Sequence, residues 1–338
     1  MLSQAVILVG GQGIRLRPLT LEMPKPMLPV LNRPFLEHTI AYLKKYGFDD
    51  IILALSYLPE FIQDYLGGGN KLGVQLNYVV EDTPLGTAGA VKNAEQSLES
   101  SFMVLNGDIF TDLDLADMFT FHRSKKAKVT IALTRVDNPG AFGLVETESD
   151  GRVRRFIEKP SPGRITTHWI NAGIYILEPE VLNHVPRGIN YMFERGLFPL
   201  LLELGEPVYG YPFRGYWLDM GTLEKYLYLN CDLLLAKVIS HLIPGLNRDG
   251  VYRKADATIH PSAKITGPAI IGSRCQIDQT AHIKGPVVMG EDCHIGEGAY
   301  LERGVLWNGV SVGAGASHKR CVVYNKEGKE RVINCGNH

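Results

Sequence analysis

The sequence predicts an α/β domain built around a mainly parallel sheet, followed by a short left-handed parallel β-helix. Two patterns lead to this prediction. Up to about residue 235, short apolar runs alternate with amphipathic stretches, which is the order expected of β-α-β units. From Ile259 onward an apolar residue recurs at every sixth position. This period belongs neither to a helix nor to a simple strand, and it is typical of hexapeptide β-helices.

The first part of the chain contains seven apolar runs of strand length. Amphipathic stretches with helical spacing lie between the early ones, at 35–46 and 59–66. In an open sheet of this kind ligands bind where strand ends meet loops, so candidate binding residues are expected directly after strands. The predicted strands are Ala5–Val9, Asp50–Leu55, Gln75–Val80, Phe102–Leu105, Lys128–Thr134, Gly143–Glu146 and Ala172–Leu177.

The hexapeptide region sets the predicted domain organisation. Nine apolar anchors follow one another at intervals of six residues, and a small or branched residue stands four positions after each anchor. Three hexads form one triangular coil, so the region predicts roughly three coils. The anchors are Ile259, Ile265, Ile271, Ile277, Ile283, Met289, Ile295, Leu301 and Trp307. The small or branched positions are Ala263, Ala269, Cys275, Ala281, Val287, Cys293, Ala299, Val305 and Ser311.

We therefore expect an α/β domain at 1–235, a linker at 236–250, the β-helix at 251–320 and a C-terminal tail at 321–338. The ends and faces of a β-helix offer self-complementary surfaces. For this reason the repeat region predicts a homo-oligomer.

The composition is that of an ordinary globular protein: 45% of the 338 residues are hydrophobic and 21% are charged. A chain of this length is expected to form a large domain and a smaller one. With 35 basic and 36 acidic side chains, it has no surplus of positive charge for binding a nucleic-acid backbone or an anionic membrane. We therefore expect small-molecule partners, with no nucleic acid and no membrane among them.

The N-terminal region and the cysteines indicate a cytoplasmic protein. The chain runs directly into the apolar stretch 5–9 without the basic flank and cleavage site of a signal peptide. No apolar run approaches the ~20 residues that span a bilayer. The cysteines are odd in number and form no Cys-x-x-Cys pair, which argues against disulfides and a zinc site. They are Cys231, Cys275, Cys293, Cys321 and Cys335.

A glycine-rich loop follows the first predicted strand. Its sequence, Gly10-Gly11-Gln12-Gly13-Ile14-Arg15, lets backbone N–H groups point at a phosphate without an intervening side chain, and Arg15 adds a cationic fork. The loop lacks the Gly-Lys-Ser/Thr ending of a Walker A motif and the full spacing of the dinucleotide-binding motif. By itself it indicates either a phosphate-binding loop or an ordinary tight turn.

Lys25 lies between two prolines, in Pro24-Lys25-Pro26-Met27. Proline restricts the backbone on both sides, so a long and flexible cation is held in a defined position. A lysine that only faced solvent would not need this restriction. We therefore interpret Lys25 as a functional cation.

Taken together, Gly-Gly-x-Gly-x-Arg-Leu-x-Pro-Leu-Thr from residue 10 and Pro-Lys-Pro-Met from residue 24 resemble the signature of the sugar nucleotidyltransferases, also called nucleotide-diphospho-sugar pyrophosphorylases. The resemblance covers nearly all of residues 1–230 and implies a Rossmann-like nucleotidyltransferase domain. It also implies that the loop glycines wrap a nucleoside triphosphate while two cations contact it at the transferred phosphorus. These glycines are Gly10, Gly11 and Gly13, and the cations are Arg15 and Lys25.

Further segments match the family in the expected order. The stretch 84–90, Pro-Leu-Gly-Thr-Ala-Gly-Ala, resembles the segment that holds the base and ribose, so the resemblance assigns Gly86 and Thr87 to the nucleotide. Asp108 closes a predicted strand and Asp219 lies far along the chain; by similarity both bind Mg²⁺. Magnesium prefers hard oxygen ligands and commonly uses one or two carboxylates with phosphate oxygens and water.

The remaining matches concern the second substrate, a sugar 1-phosphate. Glu158-Lys159-Pro160 and Ile170-Asn171-Ala172-Gly173 resemble the sugar-phosphate half of the family's site. The resemblance implies that Lys159 contacts the sugar phosphate, that Glu158 and Asn171 contact sugar hydroxyls, and that Gly143 offers a backbone contact. An oxygen of the sugar phosphate then attacks the α-phosphorus and pyrophosphate leaves, without a covalent enzyme intermediate.

One residue bears on the choice of base. Thymidylyl and uridylyl members of the family carry a glutamine five residues before the glycine of the base segment, and this chain has Glu81 there. An ionised carboxylate only accepts hydrogen bonds. Guanine offers two adjacent donors, whereas uracil and thymine offer one donor between acceptors, so Glu81 favours GTP. A Glu at this place with a hexapeptide tail is similar to the mannose-1-phosphate guanylyltransferases. The alternative is that Glu81 faces solvent beside Asp82.

Three other functions remain open at this point. A glucose-1-phosphate thymidylyl- or uridylyltransferase would use the same sugar contacts, since Asn171 and Glu158 suit mannose and glucose alike. A sugar-nucleotide sensor would keep the pocket without turnover, although the presence of Lys25, Asp108 and Asp219 argues against it. An acyltransferase in the β-helix would need a histidine as general base. The candidates are His260, His282 and His294.

Overall fold

The computed structural model describes residues 3–235 and 250–336. The predicted linker at 236–250 lies, except for its last residue, outside the described residues. The chain divides into two compact units. Unit 1 comprises Met1–Gly13, Leu19–Met27 and Leu36–Trp217, and unit 2 comprises Ile14–Pro18, Leu28–Phe35 and Leu218–His338.

All seven predicted strands form, with ends that differ from the prediction by at most three residues. Up to residue 235 the strands are β1 (Gln4–Val9), β2 (Pro29–Val30), β3 (Arg33–Pro34), β4 (Asp50–Leu55), β5 (Gln75–Val80), β6 (Phe102–Asn106), β7 (Ile109–Thr111), β8 (Val129–Arg135), β9 (Gly143–Thr147), β10 (Val153–Glu158), β11 (Trp169–Leu177), β12 (Val208–Pro212) and β13 (Trp217–Asp219). The helices are α1 (Phe35–Lys45), α2 (Pro59–Leu66), α3 (Gly86–Asn93), α4 (Leu115–Ser124), α5 (Phe198–Glu203) and α6 (Leu223–Leu234).

Unit 1 contains a nine-stranded mixed sheet. Its order is β10-β9-β11-β6-β1-β4-β5, and β8 pairs with β11 and β12. Strands β6, β1, β4 and β5 are parallel, so their carboxyl ends meet at one edge. Strand β11 runs antiparallel to β6 with Ile174 opposite Leu105, and its first residues therefore lie beyond the carboxyl end of β6. Predicted binding residues of unit 1 lie in the loops that leave the sheet at this edge.

Each face of the central sheet packs against its own hydrophobic core. In β1, Ile7 belongs to one cluster of buried residues and Val6 to the other, and in β6 Leu105 and Val104 alternate in the same way. Both faces of these strands are therefore covered. This explains why the strands appear in the sequence as continuous apolar runs and not as alternating ones.

The hexapeptide region of unit 2 forms a parallel β-helix, and repeats of this kind are typical of the left-handed form. Thr258 pairs with Gln276, which pairs with His294, so one coil takes 18 residues or three hexads, as predicted. The strands are β14 (Val251–Arg253), β15 (Thr258–Ile259), β16 (Lys264–Thr266), β17 (Ala269–Ile271), β18 (Gln276–Ile277), β19 (His282–Met289), β20 (His294–Ile295), β21 (Tyr300–Leu306), β22 (Ser311–Val312), β23 (Ser317–Lys326) and β24 (Lys329–Asn334).

The last hexads depart from the predicted register by one residue. Val287 pairs with Gly304, which is 17 and not 18 residues away. Gly304 therefore takes the place in the ladder that the six-residue repeat gives to Val305, and Val310 is buried while Ser311 is exposed. The repeat counts Ser311 as its ninth small or branched position, but the buried residue there is Val310, because one coil is a residue shorter than the repeat.

The residues predicted as a C-terminal tail contribute two strands. β23 pairs in parallel with β21, and β24 returns antiparallel to β23, with Val323 opposite Val332. The structure thus continues the β-helix sheet as far as Asn334. Among residues 3–235 and 250–336, no helix has the length and apolar character needed to cross a bilayer.

Candidate functional site

The glycine-rich loop leaves the carboxyl end of β1 and is held by two hydroxyl groups. Ser56 donates a hydrogen bond of 2.8 Å to the carbonyl of Gly10, and Thr20 donates one of 2.8 Å to the carbonyl of Gly13. Gly13 has a φ of 61°, and a Cβ atom there would lie 3.0 Å from Thr20 and 3.1 Å from Cβ of Lys25. A Cβ on Gly11 would meet no described atom within 4 Å. The loop is therefore tightly packed at Gly13 and open at Gly11.

Lys25 and Asp108 form an ion pair at the strand edge. Lys25 begins a short 3₁₀ turn, Lys25–Met27, and only 7% of its surface is exposed. Its ammonium donates a hydrogen bond to Oδ2 of Asp108, the second residue after β6. The side chain of Asp108 keeps 32% exposure, so the carboxylate remains accessible. The structure brings together two predicted site residues that lie 83 positions apart.

Glu81 follows the last residue of β5 and is buried, with 9% exposure. Its Oε2 atom accepts a hydrogen bond of 2.8 Å from the backbone N–H of Leu85. Burial raises the pKa of the Glu81 carboxyl, and the Leu85 hydrogen bond opposes that rise. Asp82, by contrast, is exposed. The alternative in which Glu81 faces solvent beside Asp82 is therefore wrong.

Gly86 and Thr87 form the first turn of α3, the helix that follows Glu81. Gly86 has a φ of 72°, and a Cβ atom there would lie 2.8 Å from the carbonyl oxygen of Tyr191. The same oxygen accepts hydrogen bonds from the backbone N–H groups of Ala88 at 3.0 Å and Gly89 at 2.9 Å. The backbone of this turn is thus held by a segment that lies about a hundred residues later in the chain.

The predicted sugar contacts lie on three neighbouring strands, β10, β9 and β11. Gly143 and Glu158 stand opposite each other in the β9–β10 ladder, and a Cβ atom on Gly143 would lie 2.8 Å from Oε2 of Glu158. Asn171 is fixed at both ends of its amide: Oδ1 accepts from the N–H of Gly173 at 2.9 Å, and Nδ2 donates to the hydroxyl of Tyr175 at 2.8 Å. These bonds determine which end of the Asn171 amide is the oxygen and which is the nitrogen.

The charges around Glu158 and Lys159 suit a polar ligand. Burial and then the negative charge of Glu194 raise the pKa of the Glu158 carboxyl, while Lys159 and Arg195 lower it. Lys159 itself is exposed and has a φ of 46°, a conformation that costs a lysine free energy. Its backbone N–H donates to the carbonyl of Phe142 at 3.2 Å. Lys159 is thus held in a strained backbone conformation directly after β10.

Arg15 and Asp219 belong to unit 2, where they lie close together. Arg15 is exposed within the 3₁₀ turn Ile14–Leu16, and Asp219 ends β13. A Cβ atom on Gly221 would lie 2.8 Å from the guanidinium of Arg15 and 3.0 Å from Oδ1 of Asp219, so both side chains border that glycine. Lys225, in the first turn of α6, places its ammonium 3.5 Å from Oδ2 of Asp219. Each predicted metal-binding carboxylate is therefore paired with a lysine of its own unit.

Three residues that contact predicted site residues are not among the candidates from the sequence: Lys225, Tyr175 and Glu194. Lys225 follows Asp219 by six residues in an ordinary amphipathic helix, and no local pattern distinguishes it. Tyr175 offered a signal, because a phenol in the otherwise aliphatic predicted strand Ala172–Leu177 needs a hydrogen-bond partner when buried. Glu194 lies outside every motif, and only the folded chain shows its contacts.

The three histidines considered for acyl transfer have structural partners within the β-helix. Nε2 of His294 lies 2.8 Å from Oδ2 of Asp278, and Nδ1 of His260 lies 2.8 Å from the Ser262 hydroxyl. His282 packs edge-on against Tyr300, with ring centroids 5.2 Å apart. The contacts of His294 and His282 are between neighbouring coils, and that of His260 lies within one coil. They give the acyltransferase alternative no support.

Comparison with known protein families gives two matches. A family described as Nucleotidyl transferase matches residues 4–235, and the bacterial transferase hexapeptide family, with six repeats, matches residues 268–303. The first match covers more than half of the chain and includes the glycine loop, Lys25, Asp108 and Asp219.

Individual relatives agree with these matches. The chain is 40% identical over 275 residues to a mannose-1-phosphate guanylyltransferase of Mycobacterium tuberculosis, covering 81% of this chain and 76% of the relative. It is 34% identical over 291 residues to a UTP–glucose-1-phosphate uridylyltransferase of Synechocystis, covering 81% and 75%. The crystal structure of HddC from Yersinia pseudotuberculosis complexed with GMP-PN superposes with a TM-score of 0.58 at 31% identity, covering 68% of this chain and 98% of HddC.

Proposed function

Because the chain belongs to the nucleotidyl transferase family, we infer that it is a sugar-1-phosphate nucleotidyltransferase that transfers a guanylyl group from GTP to mannose 1-phosphate. The observation that carries this substrate pair is the 40% identity, over 275 residues, to a relative named for the same reaction. Buried Glu81 at the base-segment position supports the choice of GTP. The 34% identity to a uridylyltransferase keeps UTP and glucose 1-phosphate as the second candidate pair.

The proposed reaction is a single in-line displacement. A phosphate oxygen of mannose 1-phosphate forms a bond to the α-phosphorus of GTP, and the bond from that phosphorus to the bridging oxygen breaks. The electron pair of that bond leaves with pyrophosphate, and GDP-mannose remains. The attacking oxygen carries no proton, so the step needs no general base. The protein must instead hold two anions together against their mutual repulsion.

Three cations are proposed to supply that stabilisation. Lys25 is prepositioned by its buried turn and by Asp108, so little reorganisation is needed when negative charge develops on the α-phosphoryl group. Arg15 is assigned to the triphosphate and Lys159 to the sugar phosphate. The loop glycines Gly10, Gly11 and Gly13, with the turn at Gly86 and Thr87, are proposed to bind the nucleotide.

The sugar is proposed to bind across strands β10, β9 and β11. Glu158 would accept hydrogen bonds from sugar hydroxyls, since its carboxylate is half-buried and receives no hydrogen bond among those that the described residues show. Asn171 is held rigidly, with one amide hydrogen and one lone pair left for ligand. Gly143 lets the sugar approach the backbone beside Glu158.

Asp108 and Asp219 are proposed as the ligands of Mg²⁺. Within the described residues no three His, Cys, Asp or Glu side chains form a metal-binding group. Two carboxylates nevertheless suit magnesium, which takes its other oxygens from phosphates and water. The ion would neutralise charge on the triphosphate when bound. Electron paramagnetic resonance of Mn²⁺ with GTP tests this: Asp108→Asn should weaken Mn²⁺ binding, and the exposed Asp64→Asn should not.

Three further expectations from the sequence remain part of the proposal. The domain boundaries at 235, 250 and 320, the homo-oligomer and the cytoplasmic location rest on the sequence pattern. Sedimentation of the purified chain measures the subunit number. Removal of the β-helix at residue 251 would show whether the assembly depends on the hexapeptide repeats.

Release of pyrophosphate tests the proposed activity directly. The protein is incubated with GTP, UTP, dTTP, ATP or CTP, each against mannose 1-phosphate and glucose 1-phosphate, with Lys25→Met as the control for contaminating enzymes. We expect GTP with mannose 1-phosphate to give the highest kcat/KM. A clear preference for UTP or dTTP would overturn the guanine assignment, and absence of turnover with every pair would overturn the proposed activity.

A further inference from the structure

Glu194 is a buried acid placed on a single π-helical turn, Phe193–Leu197. Only 9% of its surface is exposed. A buried carboxylate is costly unless donors surround it. Two hydroxyl groups meet this need: Thr87 Oγ1 lies 3.0 Å from Oε2 of Glu194, and the Tyr175 hydroxyl lies 3.4 Å from Oε1. Glu194 thus touches one residue of the proposed nucleotide site and one neighbour of the proposed sugar site.

The direction of each hydrogen bond follows from the donors behind it. The N–H of Phe193 donates to the Thr87 oxygen at 2.9 Å, so the hydrogen of Thr87 is left for Glu194. The Asn171 amide donates to the Tyr175 oxygen at 2.8 Å, so the phenol hydrogen also points to Glu194. Both oxygens of Glu194 therefore act as acceptors, which is the state of an ionised carboxylate.

The backbone of the same segment is bonded to the nucleotide turn. The N–H of Tyr191 donates to the carbonyl of Leu85 at 2.8 Å, and the carbonyl of Tyr191 accepts from Ala88 and Gly89. This segment therefore holds the turn by its backbone and extends to strand β11 through the Glu194 side chain. Single-turn π-helices of this kind are often found at functional sites.

We propose that Glu194 is a positioning residue that orients Thr87 for the nucleotide and, through Tyr175, Asn171 for the sugar. The proposal rests on the function proposed above. Glu194 contacts neither substrate in this scheme and acts only by fixing the geometry of the residues that do. Small losses of orientation reduce rates strongly when two substrates must be aligned.

The charge of Glu194 also acts on Glu158. Burial is the larger cause of the raised pKa of Glu158, and the negative charge of Glu194 is the second, against Lys159 and Arg195. Removing the Glu194 charge should therefore lower the pKa of Glu158. Mannose 1-phosphate binding would then persist to lower pH. This shift reports the Glu194 charge beside Glu158, while the two KM values report the positioning role.

Steady-state kinetics with GTP and mannose 1-phosphate varied separately test the proposal. Thr87→Val removes the hydroxyl and should raise the KM for GTP about tenfold, while Tyr175→Phe should raise mainly the KM for mannose 1-phosphate by a similar factor. Glu194→Gln keeps the shape of the side chain and should raise both KM values. It should also shift the acid limb of the mannose 1-phosphate profile to lower pH.

Matched variants separate positioning from folding. Thr87→Ser keeps the hydroxyl and should restore the KM for GTP. Tyr42→Phe removes a phenol that is half-buried and bonded to the carbonyl of Leu113, and it should leave both KM values unchanged. Thermal unfolding of each variant shows whether the fold is retained. If Tyr175→Phe does not fold, Glu194→Gln and Thr87→Val still carry the comparison.

The outcomes distinguish this proposal from the proposed function. If the wild-type protein turns over and Glu194→Gln leaves both KM values unchanged at a pH where Glu158 is ionised, the positioning role is wrong. If the wild type shows no turnover with any substrate pair, the proposed function fails. The role of Glu194 is then tested separately, by calorimetric measurement of the affinities of wild type and Glu194→Gln for GTP and for mannose 1-phosphate. Equal affinities in wild type and Glu194→Gln, or no binding of either ligand to the wild type, would overturn the positioning role.

Discussion

The ammonium of Lys25 donates a hydrogen bond to the carboxylate of Asp108. The lysine comes from the segment after the glycine loop, and the aspartate comes from the turn after β6. Each of these opposite charges partly neutralises the other. The ion pair also holds the lysine at the carboxyl edge of the sheet. The pair therefore gives the proposed catalytic cation a fixed position before substrate binds.

Removal of the Lys25 charge should impair the chemical step. We expect Lys25→Met to lower kcat by about 10²–10³-fold, the usual cost of losing one preorganised group that stabilises transition-state charge. Lys25→Arg should recover only part of this loss, because the planar guanidinium does not fit the position of the ammonium. The exposed Lys71→Met is the control and should keep wild-type kcat. Wild-type turnover in Lys25→Met would contradict the assigned role.

Two glycines of the loop should respond differently to alanine. Gly13→Ala places a methyl group 3.0 Å from Thr20 in a conformation that disfavours alanine, so unfolding free energy should fall by about 1 kcal/mol or more. Gly11→Ala meets no described atom and should leave stability unchanged. If the phosphates of GTP approach Gly11, however, the KM of the Gly11→Ala variant for GTP should rise. Gly68→Ala, also without near neighbours, controls for the substitution itself.

The choice of base should depend on Glu81. Glu81→Gln replaces an acceptor-only group with one that also donates, so kcat/KM for GTP should fall by about tenfold to a hundredfold, and that for UTP should rise. The ratio of the two values is the measurement. Asp82→Asn, at the exposed neighbouring position, should leave the ratio unchanged. An unaltered ratio in Glu81→Gln would show that Glu81 does not contact the base.

As the pH falls, binding of the sugar phosphate should weaken at a higher pH than it would with a glutamate of ordinary pKa. Since burial and Glu194 raise the pKa of Glu158, its carboxylate is present above that raised pKa and is lost as the pH falls through it. The KM for mannose 1-phosphate should therefore rise as the pH falls through this raised pKa. The pH profile of the KM is compared with that of Glu158→Gln, because ionisation of the substrate itself affects both proteins equally. Parallel profiles would exclude Glu158 from the sugar contact.

The interior of the β-helix should tolerate substitution unequally along one ladder. Ile265 and Ile283 are paired in adjacent coils, but Ile283 is fully buried and Ile265 only half-buried. Ile283→Ala should lower the unfolding free energy by about 2–5 kcal/mol, and Ile265→Ala by clearly less. Urea unfolding followed by the fluorescence of Trp307 measures both. Equal losses would contradict the difference in burial between Ile283 and Ile265 in the structure.

Much of the fold could be predicted because it depends on short-range periodicity. The seven predicted strands of unit 1 appear as apolar runs, since both faces of the central sheet are covered. The 18-residue coil follows from the hexad. The one-residue shift at Gly304 could not be predicted in this way, because it depends on how neighbouring coils pack and not on the repeat itself.

The same division holds for the candidate site. Glycine freedom, proline restriction and the charge of Lys25 are local properties, so the sequence by itself determined the loop, the cation and the position of Glu81 after a strand. The partners of these residues were decided only by the tertiary structure: Asp108 for Lys25, and Glu194 with Tyr175 for Thr87 and Asn171. A hydrogen bond depends on the distance between two atoms in space. Pairs separated by 83 or 107 positions acquire that distance only when the sheet assembles.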